Sequence, residues 1–321
     1  MSRKLDQTIK SARFRPKPDL VLINLSPTVH ELSKEEQMYF RKVTEAAFGY
    51  NDQIRNECMR QLISDYQITL ILPYLCSFIR DTIHCNLVFT DLTLLIYAVR
   101  MTKNLLSNNH LDLKPYIHEL LPAVLSCALA KKISKYCNDN HWTLRDFSSC
   151  VVASICEVYS DELNNMKERV VNLYFSAIRD ASKGLTTTYG AIRGLSSFGE
   201  AEVERYLLPN VMIISNKIRK ALEVAQYGFY LDYQKQLLSE AKHVRNVMVT
   251  ICAPILLKTR TVSDGGLSYA KEFGYLGKPL YIHVKNLESM KKARTQQAQR
   301  MQRFNRFPQD TRSSRVWLSL G

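Results

Sequence analysis

Four prolines recur near expected helix starts and set the period of the chain. Leu72-Pro73-Tyr74-Leu75, Leu121-Pro122-Ala123-Val124, Leu208-Pro209-Asn210-Val211 and Ala253-Pro254-Ile255-Leu256 are separated by 49, 87 and 45 residues. Proline suits the first helical turn, where the amide it lacks has no intrahelical partner and its fixed φ is already helical. The middle interval is about twice the others. Midway through it, 165–180 reads as a proline-free helix that keeps the apolar spacing with Val170, Leu173 and Ala177. Five units of this length fall near the roughly 40 to 47 residues of a HEAT or armadillo repeat. An irregular helical bundle is the competing architecture, and regular spacing over four markers favours an all-α chain built as an α-solenoid of about five HEAT-like helix pairs.

Pairing each marker helix with its predecessor gives the units 55–64 with 70–82, 87–106 with 113–134, 142–159 with 165–180, 187–198 with 200–222, and 233–245 with 246–258. A first helix precedes them: Ser33-Lys34-Glu35-Glu36 has the form of a capping box, and Gly49 closes the segment. Only 11 Gly and 10 Pro in 321 residues leave little material for the many turns of a sandwich or barrel, and an apolar fraction of 46% suits a globular chain. The net charge of +14 is concentrated at the ends. Residues 1–18 hold six basic side chains against Asp6 and residues 284–321 hold nine against Glu288 and Asp310, so all between carries +2. The expected organisation is a basic flexible arm over 1–32, the solenoid over 33–262, and a basic, mostly disordered tail over 263–321. Gly265, Gly266, Gly274 and Gly277 interrupt helices in that tail, which has at most one helix over 285–303. Val21-Leu22-Ile23 is a weak candidate docking segment in the arm.

The middle unit holds the stretch around which the others are arranged. Asn140 is the expected N-cap of a helix whose apolar residues Leu144, Phe147, Val151, Ile155 and Val158 form one stripe, with Ser148, Ala153 and Ser154 permitting close packing. Arg145 and Asp146 lie off that stripe and are expected to pair between repeats, while Trp142 is expected to anchor the packing at the helix start.

Residue patterns for catalysis are missing from this reading. Gly190, Gly194 and Gly199 have the wrong spacing for a phosphate loop and suit close helix packing better. Eight cysteines contain no Cys-x-x-Cys pair; neither Cys137 with His141 nor Cys150 with Cys156 matches a zinc framework. The first ten residues are polar and do not form a secretory signal, so reduced thiols in an intracellular compartment are expected. The greasiest run, 92–99, is far shorter than the roughly 18 residues of a membrane span. No cofactor, metal, membrane or small-molecule substrate is expected. The basic tail alternates cations with aromatics, and Lys291, Lys292, Arg294, Arg300, Arg303 and Arg306 are candidate nucleic-acid contacts.

Asn140-His141-Trp142-Thr143-Leu144-Arg145-Asp146-Phe147 resembles a signature of the HEAT-repeat domain in the TBP-associated factor subunit six family. Further phrases follow in the family's order. They include His30-Glu31-Leu32-Ser33 with Glu36-Gln37-Met38-Tyr39-Phe40, Tyr116-Ile117-His118-Glu119-Leu120-Leu121-Pro122, Thr188-Tyr189-Gly190-Ala191-Ile192-Arg193-Gly194-Leu195, and Cys252-Ala253-Pro254-Ile255-Leu256. The resemblance implies a nuclear, non-catalytic scaffold subunit of the general transcription factor TFIID or of a SAGA-type coactivator. Its HEAT domain would contact neighbouring subunits and associate with itself. The family also carries an N-terminal histone fold; the 32 residues before the first helix hold no three-helix pattern, so histone-fold pairing is not expected here. The reading from another class is a HEAT adaptor outside transcription, such as a transport or phosphatase scaffold.

Overall fold

The computed structural model describes residues 31–136, 139–227, 231–260 and 265–305. Among these residues every regular element is helical. The helices are α1 (Lys34–Phe48), α2 (Asp52–Ser64), α3 (Ile68–Phe89), α4 (Leu92–Leu106), α5 (Ile117–Leu129), α6 (Trp142–Tyr159), α7 (Met166–Arg179) and α8 (Leu185–Ser197). After them come the short α9 (Glu200–Glu202), α10 (Val211–Tyr227), α11 (Leu231–Thr259), α12 (Gly266–Phe273) and α13 (Gly277–Asn305). No single described helix is long and apolar enough to cross a membrane.

Local chemistry sets most of the boundaries. Ser33 and Glu36 close a reciprocal capping box at the start of α1, Glu36 N donating to Ser33 Oγ at 3.2 Å and Ser33 N to Glu36 Oε2 at 2.8 Å. Asn51 and Asp91 cap α2 and α4 in the same sense, each accepting two first-turn amides. Between α3 and α4 the chain reverses at Thr90, which sits at φ 56. The long first helix of unit two expected from 87 therefore begins only at Leu92, because a left-handed residue cannot continue a right-handed helix.

The helices stack as two layers. Neighbours α2, α4, α6, α8, α11 and α13 touch in series, and α3, α5, α7 and α10 lie against them, which makes the chain a HEAT-type solenoid with α6 flanked by α4 and α8. The expected helix 200–222 is broken into short segments before α10, and the two largest differences from expectation lie beyond it. Unit five does not split at 245: α11 is one helix of 29 residues, since no glycine or proline interrupts 231–253, and it pairs with α10 and α13 instead. Pro254 accordingly lies deep inside a helix, and Pro73 and Pro122 each stand at the sixth residue of theirs; only Pro209 stands just before a helix, in the one-turn 3₁₀ segment Leu208–Asn210. Burial of these helices in a stack offsets the lost backbone bond.

The second difference is the tail. A mostly disordered segment from 263 fails over 266–305, where α12, α13 and the turn between them bury Tyr269, Phe273, Leu276, Leu280 and Val284. The expected helix over 285–303 is the second part of α13. Gly274, at φ +58, forms the turn between α12 and α13 instead of ending order. Ser215 Oγ on α10 fastens that turn, donating to Phe273 O and accepting from Leu276 N at 3.2 Å. Residues 1–30 of the expected basic arm with Val21-Leu22-Ile23, Cys137, the side chain of Arg303, and Arg306 with the rest of the tail lie outside the described residues.

Candidate protein-interaction site

The C-terminal end of α5 is bonded by side chains of two other helices. A helix end leaves its last carbonyls without intrahelical donors. Here side chains from α6 and α8 supply the donors: Arg145 Nη1 reaches Ala128 O at 2.9 Å, Thr187 Oγ1 reaches Leu129 O at 2.9 Å, and Thr186 Oγ1 reaches Lys131 O at 2.9 Å. The guanidinium also places positive charge at the negative end of the α5 dipole. Gly190 on α8 is what lets the backbones approach, because a Cβ there would stand 2.0 Å from Ala128 O. One turn on, Gly194 lies under the ring of Tyr174, whose atoms a Cβ would meet at 2.2 Å. Both glycines serve helix packing.

Helix α6 spans the expected 142–159, but its cap stands one residue later than expected. His141 is the cap, since its carbonyl accepts the first intrahelical bond from Arg145 N, while Asn140 offers only its carbonyl, to Thr143 Oγ1 at 3.0 Å. The buried arc is wider than one stripe, because α4, α5, α7 and α8 all touch this helix. Leu144, Val151 and Ile155 are buried, yet so are Arg145, Ser148 and Ser149, whereas Phe147 is half-buried and Val158 is 71% exposed.

Arg145 thus does not lie off the buried face: its relative exposure is 0%. Burial pulls its pKa down to about 10, with Glu240 chief among the groups that oppose the shift. Its Nε donates to His141 Nδ1 at 3.3 Å. That bond uses the ring's lone pair, and burial, followed by the Arg145 cation and His243, pulls His141 down to about 4. Trp142, 8% exposed, is stacked on His243 at 4.4 Å and 11° and meets Tyr189 edge-on at 4.6 Å, joining α6 to α11 and α8. Asp146 accepts two bonds from Arg193 of α8, from Nε at 2.7 Å and Nη2 at 2.8 Å. That bond is the main cause that raises the Arg193 pKa.

Beside this cluster is a cavity of about 140 Å³, walled by His141, Trp142, Arg145 and Glu240 with the 131–136 loop at its rim. The only signal for the rim in the sequence is the closely spaced cations Lys131, Lys132 and Lys135. Arg193 as the partner of Asp146 had no signal other than its place in the Thr188–Leu195 phrase.

A family profile described as the TAF6 C-terminal HEAT repeat domain matches residues 28–212, which contain the whole α5, α6 and α8 cluster. The chain belongs to the TAF6 C-terminal HEAT repeat domain family. Transcription initiation factor TFIID subunit 6 of Drosophila melanogaster is 35% identical over 261 residues, 80% of this chain and 42% of that protein. The SAGA complex/transcription factor TFIID complex subunit Taf6 of Schizosaccharomyces pombe is 31% identical over 204 residues, 63% of this chain and 45% of that protein. The chain thus spans less than half the length of these relatives. A solved TAF6 C-terminal domain from Antonospora locustae covers 66% of this chain and 98% of its own at a TM-score of 0.48 and 21% identity, and the assignment does not rest on it.

The remaining candidates of this TAF6-family chain are dispersed. Lys291, Lys292, Arg294 and Arg300 are exposed on α13, and Lys292 is paired with Glu288 at 2.8 Å. At about 100° per residue these four positions point around the helix rather than along one side. Cys150 is exposed and Cys156 buried, and among the described residues no group of His, Cys, Asp and Glu is arranged to hold a metal ion. Burial pushes the Cys127 thiol up to about 12, far from the range of a reactive thiolate.

Proposed function

We propose that this chain is a non-catalytic scaffold subunit of a TFIID-like initiation complex or a SAGA-type coactivator, acting in the nucleus through contacts of its HEAT solenoid with other subunits. The observation that carries this reading is the TAF6 HEAT-repeat match over 28–212, together with relatives named as subunits of TFIID and of SAGA. A solenoid suits the role: its units touch only near neighbours, so the stack exposes a long surface for its size. Self-association through the same domain and an electrostatic contact of α13 with nucleic acid belong to the proposal. The spread of Lys291, Lys292, Arg294 and Arg300 around the helix supports a non-specific phosphate contact over groove recognition.

The test is affinity purification of the tagged chain from nuclear extract with mass spectrometry. TBP-associated factors or acetyltransferase-complex subunits are expected among the recovered proteins. Recovery of Ran or a phosphatase catalytic subunit in their place would overturn the reading. No observation favours that alternative.

A further inference from the structure

A buried guanidinium is costly unless all of its donors are used. Arg145 commits Nη1 to Ala128 O and Nε to His141 Nδ1, while Nη2, buried to the same degree, has no protein partner. Arg145 lines the cavity of about 140 Å³ beside α6. Trp142 supplies an apolar wall, and the exposed Lys131, Lys132 and Lys135 surround the mouth. Glu240 is the one carboxylate in the lining, and its Oε1 is engaged by Gln236 Nε2 at 2.8 Å.

We propose that this cavity is a recognition pocket for a single carboxylate, the glutamate side chain of an acidic segment in a partner polypeptide, bound by Arg145 Nη2 with the three lysines taking the flanking acidic residues. Size selects the ligand first. A cavity near 150 Å³ holds a molecule of about six heavy atoms, which matches a glutamate side chain and excludes a nucleoside. Charge selects next. Glu240 in the wall repels a phosphate dianion more strongly than a carboxylate monoanion. The methylenes of glutamate have Trp142 to lie against, and the carboxylate completes the hydrogen bonding of a nitrogen otherwise buried without a partner. The exposed lysines act mainly on encounter and on salt dependence.

The proposal rests on the scaffold reading for its partner, but its test does not. The full chain carrying Trp317→Phe leaves Trp142 as its sole tryptophan, and its emission is titrated with a terminally blocked pentaglutamate peptide, with the pentaglutamine peptide, and with inorganic phosphate. A saturable response to pentaglutamate alone is expected. It should weaken about tenfold in Lys131→Gln/Lys132→Gln/Lys135→Gln, whose positions are exposed and leave the core intact, tighten in Glu240→Gln, and vanish in Arg145→Lys that retains the helical spectrum. If Arg145→Lys does not fold, the lysine and Glu240 variants decide. An equal response to pentaglutamine, a response unchanged in the triple variant, or a response to phosphate with none to the peptide would overturn the proposal. None of these results alters which subunits co-purify with the chain, so the two readings fail separately.

Discussion

The α5, α6 and α8 junction and the α11 to α13 end are both helix packed on helix, yet they cohere by different means. At the junction, donors on two helices complete the carbonyls at the end of a third, and Gly190 brings α8 onto the α5 backbone. At the C-terminal end α13 is held by apolar side chains as far as Leu287, and Ser215 fastens the turn before it, after which every side chain from 289 to 302 is exposed. The first arrangement fixes the backbones to one another. The second fixes only part of a helix, and the remainder depends on intrinsic propensity and pairs such as Lys292 with Glu288. Substitutions should therefore be felt far more at the centre than at the end, in a graded order.

Gly190→Ala is the strongest way to break the central region. The added methyl meets a backbone carbonyl that is itself bound by Arg145, so the helices must separate; a loss above about 3 kcal/mol in urea unfolding is expected. Wild-type stability would show that α8 does not approach α5 this closely. Trp142→Ala comes next, at about 3 kcal/mol, because the ring touches His243 and Tyr189 on two other helices.

The third prediction sharpens the contrast by pH. A folded chain in which His141 titrates near 4 refuses a proton that the unfolded chain, with histidine near 6.5, accepts. The contribution is fully present above about pH 6.5 and is lost as pH falls toward 4. Roughly 1 to 2 kcal/mol is expected after allowing for screening at this half-buried ring. Glu240, raised mainly by burial, works in the opposite sense, since protonation relieves it. Urea midpoints at several pH values should show the slope in wild type and a flatter one in His141→Gln. Asp146→Ala follows at about 1 kcal/mol, since its pair with Arg193 is bidentate but partly open to solvent.

The same contrast explains what the sequence made legible. Apolar spacing is a record of burial against other helices, so the solenoid and the place of α6 within it could be read from Leu144, Val151 and Ile155. Polar residues with buried partners leave no such record. Arg145 looks like a surface charge in sequence because its partner is a main-chain carbonyl of another helix, invisible to any side-chain pattern. Glycines mislead in the other direction. Gly274 and Gly277 signal a break, but a break between two packed helices and a loss of order have the same local sequence, and only the spacing of Tyr269, Phe273, Leu276 and Leu280 distinguishes them. The proline markers give the period correctly enough while misplacing the helix starts, since a stacked helix tolerates Pro254 deep in its interior.

The smallest effect is expected where the solenoid lets go of α13. Truncation before residue 284 would remove Val284 and Leu287, which pack on the core, and so would mix a stability loss with any loss of binding. Ending the chain after residue 290 separates them. It removes exposed side chains together with Lys291, Lys292, Arg294 and Arg300, and should move the thermal midpoint by less than about 2 °C. If the cations contact phosphate, duplex DNA affinity should lose its salt dependence in step, because fewer counterions are released on binding. A large fall in midpoint would place the second half of α13 in the cohesive part of the molecule, and an unchanged salt slope would move any phosphate contact elsewhere on the chain.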